Sequence, residues 1–143
     1  MSEARLLDAA MKLLVLIFSL SLHEYGHALA ATRLGDPTAK MLGRLTLDPR
    51  PHIDPLGTLV FPLLTFLFPG FFLFGWAKPV PVTVENLGHP RRDGALVALA
   101  GPAMNLLLAL LAFGTFRLLE SFSFFGMDGA ALGSLLPFLS FFL

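Results

Sequence analysis

Cysteine is absent from the 143 residues, which removes disulfides, thiolate nucleophiles and cysteine-type zinc sites together. Charge is scarce as well. Lys, Arg, Asp and Glu make up 14% of the chain, against about 25% in a typical soluble domain. The few charges balance to a formal net charge of zero. That leaves neither a basic footprint for nucleic acid nor a strongly acidic face. Glutamate is missing between Glu24 and Glu85, and no charged residue follows Asp93 until Arg117. Any metal site must therefore draw on His, Asp, the few Glu or water.

What replaces charge is apolar surface. Hydrophobic residues account for 55% of the chain, and 15 residues are Phe. So much apolar area needs a solvent, and lipid is the expected one. Four apolar stretches stand out, at about Leu13–Thr32, Leu56–Ala77, Gly94–Phe116 and Gly129–Leu143. The first three have the length that a hydrocarbon core of about 30 Å demands, and the fourth is short for a spanning helix. The N-terminus mixes Glu3 and Asp8 with Arg5 and Lys12, so the first stretch reads as retained rather than as a cleaved signal. The expected fold is an all-α polytopic membrane protein of three to four helices, forming one membrane-embedded domain over residues 1–143.

The connections are less regular. Asp54-Pro55 reads as an N-cap and first helical residue for the second stretch. Pro62, Pro69 and Gly70 then interrupt that stretch, which predicts a kinked helix or a helix with a re-entrant turn. Weak alternation over Ala39–Leu47 and the run Val80-Pro81-Val82-Thr83-Val84 predict short β-like segments. Lys40, Arg44 and Arg50 precede the second stretch, and Lys78, Arg91 and Arg92 follow it. The positive-inside rule places both groups on one side, which a re-entrant second stretch permits and a single crossing does not. Trp76 and Lys78 read as residues of the membrane interface.

Chemistry concentrates in His23-Glu24-Tyr25-Gly26-His27. Four residues apart on a helix, His23 and His27 project from one face within reach of one metal ion. Imidazoles suit Zn²⁺, and Glu24 beside them can act as general base on a zinc-bound water. Ionisable groups in an apolar stretch are costly and usually functional. The competing reading is a polar contact between helices.

Two histidines leave a catalytic zinc site short of one protein ligand. The remaining candidates are Asp54, Asp128, His52 and His89. Asp54 and Asp128 each read more simply as helix caps, and His52 and His89 as loop histidines. Asn105 is the lone amide in its apolar run. It reads either as a bond to a partner helix or as an oxyanion donor or substrate clamp near the zinc. Gly101, four residues earlier, would let another backbone come close.

Several separate motifs then carry a family resemblance. They are Leu22-His23-Glu24-Tyr25-Gly26-His27-Ala28, Arg33-Leu34-Gly35-Asp36-Pro37-Thr38-Ala39 and Gly43-Arg44-Leu45-Thr46-Leu47. His52-Ile53-Asp54-Pro55-Leu56-Gly57-Thr58, Phe74-Gly75-Trp76-Ala77-Lys78-Pro79-Val80-Pro81-Val82 and Ala100-Gly101-Pro102-Ala103-Met104-Asn105 follow in order. Together they resemble the site-2 protease family, peptidase family M50, in its compact bacterial and archaeal branch. The resemblance implies a multi-pass cell-membrane zinc metalloprotease that cuts membrane segments of other proteins. It places His23 and His27 as metal ligands, Glu24 as the catalytic base and Asn105 in the active site. The family's third ligand is an Asp in a later Asn-x-x-Pro-x-x-Pro-Leu-Asp-Gly segment. Met127-Asp128-Gly129 resembles only its last three residues and lacks the preceding Asn and prolines, so the chain is expected to stop before that motif.

The expected partners are a membrane-protein substrate and the lipid bilayer, with a homo-oligomer left open and nucleic acid excluded. Two other functions compete. One is a non-catalytic zinc-binding membrane adaptor related to the proteases, and the other is a transporter or channel subunit using the histidines in an ion path. Retention of Glu24 beside both ligands favours the protease.

Overall fold

The architecture is given by a computed structural model that describes residues 3–68 and 76–124, with side chains described to Ser121. Its chain divides into two compact units, Met1–Asn105 and Leu106–Leu143. The first helix, α1, runs Glu3–Arg33. Its 31 residues are mostly Leu, Ala, Met and other good helix formers, with no proline. At 1.5 Å per residue it is about 46 Å long, more than a bilayer core requires. Gly35, at φ +108°, ends it. Asp36 N–H reaches back to the Ala31 carbonyl at 2.9 Å, as a left-handed C-terminal cap requires.

The cap delivers Asp36 to the next turn. Its carboxylate accepts from Thr38 N at 3.0 Å and from the Thr38 hydroxyl. That local bond starts a single helical turn, α2, at Thr38–Met41. The short strand expected over Ala39–Leu47 is therefore not formed; α2 takes its first residues, and turns and bends take the rest.

Asp54 caps the second apolar stretch as its sequence implied. Its carboxylate accepts from Leu56 N at 3.0 Å and Gly57 N at 2.7 Å, and its own N–H donates to Thr58 Oγ1 at 3.0 Å. A widened turn of π type, Pro55–Val60, leads into α3, Phe61–Leu67. Together they reach about 20 Å, too short to cross a hydrocarbon core. The chain then returns beside its point of departure. Trp76 N–H donates to the Gly57 carbonyl at 3.1 Å, and Lys78 N–H to the His52 carbonyl at 3.0 Å. Thr58 Oγ1 donates to the Trp76 carbonyl at 2.9 Å. The Trp76 ring lies so close over Gly57 that a Cβ there would come within 2.4 Å of it.

Residues 76–83 run extended without a strand partner, and a 3₁₀ turn follows at Val84–Asn86. The expected strand at Val80–Val84 is absent for a physical reason. Pro79 and Pro81 supply no N–H, and the Val80 and Thr83 N–H groups are taken by side-chain carboxylates instead of a ladder. No strand occurs among the described residues.

The last described helix, α4, runs Pro90–Phe124. Proline suits its first position, and Asp93 bonds back to the His89 N–H at 2.7 Å. Ala31, Leu87 and Val97 form a small buried core with Ala30, Leu34 and Val82 around it. From Leu106 onward α4 belongs to the second unit. There Leu107, Leu110, Leu111, Phe113 and Leu118 are exposed, and Arg117 pairs with Glu120 at 2.9 Å. Among the described residues two helices, Glu3–Arg33 and Pro90–Ser121, are long and apolar enough to cross a membrane. The fourth apolar stretch and Asp128 lie outside the described residues.

Candidate metal and catalytic centre

The helical repeat brings His23 and His27 onto one face of α1, with their Nε2 atoms 3.0 Å apart. Two nitrogens bound to one tetrahedral Zn²⁺ at about 2.0–2.1 Å each would stand about 3.3 Å apart. The two side chains thus already hold nearly the spacing of paired ligands. Each is gripped at its other nitrogen by α4. His27 Nδ1–H donates to the Val97 carbonyl at 2.7 Å. Asn105 Nδ2 lies 3.1 Å from His23 Nδ1, and Asn105 Oδ1 accepts from the Ser19 hydroxyl at 3.2 Å.

Glycine makes this approach achievable. A Cβ on Gly101 would come within 2.3 Å of His27 Nε2 and 2.6 Å of His23 Nε2. Only a hydrogen leaves space in front of both nitrogens. A Cβ on Gly26 would likewise come within 2.8 Å of the Ala100 carbonyl oxygen. The two glycines let the backbones of α1 and α4 meet where the histidines point. A facing pair of imidazole nitrogens in a cradle that a single methyl group would fill suits a zinc ion.

Glu24 is buried, at 7% exposure, and its Oε2 accepts from Val80 N–H at 3.0 Å. One oxygen is thereby fixed by the backbone, and acceptor capacity remains on the other. The extended segment carrying Val80 is fastened in turn by Asp36. That carboxylate, fully buried, accepts from Thr83 N at 2.7 Å and Asn86 Nδ2 at 3.0 Å besides its two bonds from Thr38. Burial alone would raise its pKa, but these donors outweigh burial and hold it at about 2.

The structure brings His23, Glu24, His27 and Asn105 together. The weaker candidates for a third ligand are otherwise engaged. Asp54 caps a helix. His52 is fully buried and donates from Nε2 to the Thr46 carbonyl at 3.1 Å. His89 sits at the start of α4, largely exposed, with Asp93 3.8 Å away. No three His, Asp or Glu side chains gather as a metal site among the described residues. Sequence reasoning missed Val80, Val97, Ser19 and Asp36. The first two act through backbone atoms, which carry no residue-type signal. Asp36 did have one, since Asp-Pro-Thr favours a side-chain turn.

Comparison with known proteins decides the family. A family model described as peptidase family M50 matches residues 11–136. The chain belongs to peptidase family M50. It is 43% identical over 109 residues to YwhC of Bacillus subtilis, a protein whose name places it among the zinc metalloproteases. It is 44% identical over 103 residues to Rip2 of Mycobacterium tuberculosis and 39% over 101 residues to Rip2 of Mycolicibacterium smegmatis, which carry the same kind of name. These matches cover 76%, 72% and 71% of the chain but only 46%, 38% and 38% of the relatives. The chain therefore spans less than half the length of these relatives. No solved structure matches it.

Proposed function

We propose that this M50 chain supplies the zinc-and-base half of an intramembrane metalloendopeptidase. The observation that carries the reading is the pair of Nε2 atoms 3.0 Å apart, beside buried Glu24, within a helix apolar enough to cross a membrane. His23 and His27 would hold Zn²⁺, and the metal would supply the Lewis acidity that makes water a nucleophile near neutral pH. Glu24 takes the proton from the attacking water and returns it to the leaving amine. The Val80 N–H holds one Glu24 oxygen in place while the other receives that proton. The third ligand comes from outside the described residues.

The substrate class follows from depth. Glu24 and both histidines sit within a long apolar helix, so the scissile bond lies in or next to a membrane segment. α1 and α4 cross the bilayer of a multi-pass membrane protein, and Lys78, whose N–H bonds to the His52 carbonyl, lies on the same side as His52. That places Lys40, Arg44, Arg50, Lys78, Arg91 and Arg92 together, as the positive-inside rule asks.

A detergent assay tests the reading. Cleavage of a transmembrane peptide by the purified protein should stop on chelation and return when Zn²⁺ is added back. Cleavage that survives thorough removal of metal would rule the reading out.

A further inference from the structure

The two metal-facing histidines are gripped by chemically different groups. Val97 offers a backbone carbonyl, which can only accept. It therefore keeps the His27 proton on Nδ1 and turns a lone pair outward at Nε2. Asn105 offers an amide, which can face a ring nitrogen with either its NH₂ or its oxygen, and which face it presents is set by its other partner. That partner is Ser19, one helical turn before His23, whose hydroxyl can donate or accept.

With the amide presenting its NH₂ to His23, the bonds form one continuous chain. The Ser19 hydroxyl donates to Asn105 Oδ1 at 3.2 Å, and Asn105 Nδ2 donates to His23 Nδ1 at 3.1 Å. His23 Nε2–H then donates to His27 Nε2 at 3.0 Å, and His27 Nδ1–H to the Val97 carbonyl at 2.7 Å. Each nitrogen and oxygen along this chain has a partner, but His23 carries its proton on the nitrogen that a metal would need. Ligation through His23 Nε2 requires that proton on Nδ1. The amide must then present its oxygen to His23 and its NH₂ to Ser19.

We infer that Ser19 and Asn105 are positioning residues that set the tautomer of His23, and that metal binding reverses the direction of the Ser19–Asn105–His23 hydrogen bonds. This rests on the protease reading above. It assigns Asn105 a duty toward the ligand, and it assigns Ser19, an otherwise unremarked hydroxyl in an apolar helix, the task of accepting the reversed amide. The amide still has one N–H to spare in either orientation, so a contact with substrate is not displaced.

Zinc affinity, read by competition with a chromogenic chelator in detergent, tests the inference. Loss of such an outer partner typically costs 10- to 100-fold in metal affinity. Asn105→Leu should weaken binding by about that factor. Asn105→Asp should match or exceed the wild type, because a carboxylate can only accept and holds the proton on Nδ1. Ser19→Ala should cost several-fold in the wild-type background and nothing beside Asn105→Asp, since a carboxylate has no orientation for Ser19 to set. Helicity by circular dichroism checks folding, and if Asn105→Leu fails to fold, the Ser19→Ala and Asn105→Asp pair decides alone. Equal Ser19→Ala costs in both backgrounds, or an Asn105→Asp protein that binds zinc as poorly as Asn105→Leu, would overturn the relay while leaving the protease reading intact. A wild-type protein that binds no zinc would remove both.

Discussion

Two buried carboxylates fasten the same extended segment, and they do so in opposite ways. Asp36 accepts four hydrogen bonds, from the Thr38 backbone and hydroxyl, Thr83 N and Asn86 Nδ2. Glu24 accepts one, from Val80 N–H, among the described residues. Asp36 is a strut: three donors hold its Oδ1 and a fourth its Oδ2, so both oxygens are tied to the structure around them. A carboxylate held by one oxygen is oriented and still has a free acceptor. The comparison separates the group that holds the segment from the group that uses it.

The largest effect on zinc affinity should come from the glycine cradle in front of the two histidines. Gly101→Ala places a methyl group on both Nε2 atoms and should lower zinc affinity roughly 10- to 100-fold, as overpacking by about 1–3 kcal/mol implies. Gly94→Ala meets nothing within 4 Å and serves as the control. Isothermal titration with Zn²⁺ reads both; equal affinities would show that the helices yield to a methyl group.

Asp36→Asn should spare zinc binding and reduce thermal stability, because a buried amide cannot accept from all four donors. The pH dependence has a definite sign. The folded-state pKa of about 2 lies below the ordinary value of 3.8. Asp36 therefore contributes stability above about pH 4 that disappears as pH falls toward 2, on the order of 2 kcal/mol in all. Melting curves from pH 5 to pH 2 should converge for wild type and Asp36→Asn. Parallel curves would remove Asp36 as the strut.

The smallest effect should follow from Val80→Pro. With Pro79 and Pro81 on either side, the substitution keeps an extended backbone and deletes only the donor to Glu24. Cleavage should fall by about tenfold, the range of one hydrogen bond to a charged group, with zinc content unchanged. An unchanged rate would mean that Glu24 needs no backbone support.

Much of this was legible in the sequence because it is local. The apposition of His23 and His27 follows from helical spacing, the Asp54 cap from Asp-Pro, and α1 and α4 from long apolar runs. What was not legible depends on distant partners. The Val97 carbonyl, the Val80 N–H and the Ser19 hydroxyl acquire meaning only when α4 and the extended segment return to α1. The strand inferred at Ala39–Leu47 gave way to local turns, in which the N–H groups of Met41, Leu42, Gly43 and Arg44 bond to carbonyls three to five residues back, and the one inferred at Val80–Val84 failed where side-chain carboxylates captured the Val80 and Thr83 donors. Alternation in the sequence could not reveal that competition.

The central claim is that Glu24 is the base at a metal held by His23 and His27. Zinc content and peptide cleavage measured side by side for Glu24→Gln test it most directly. The account predicts a zinc content equal to wild type and cleavage reduced by about 10²- to 10⁴-fold. Cleavage retained near the wild-type rate with zinc in place would contradict it.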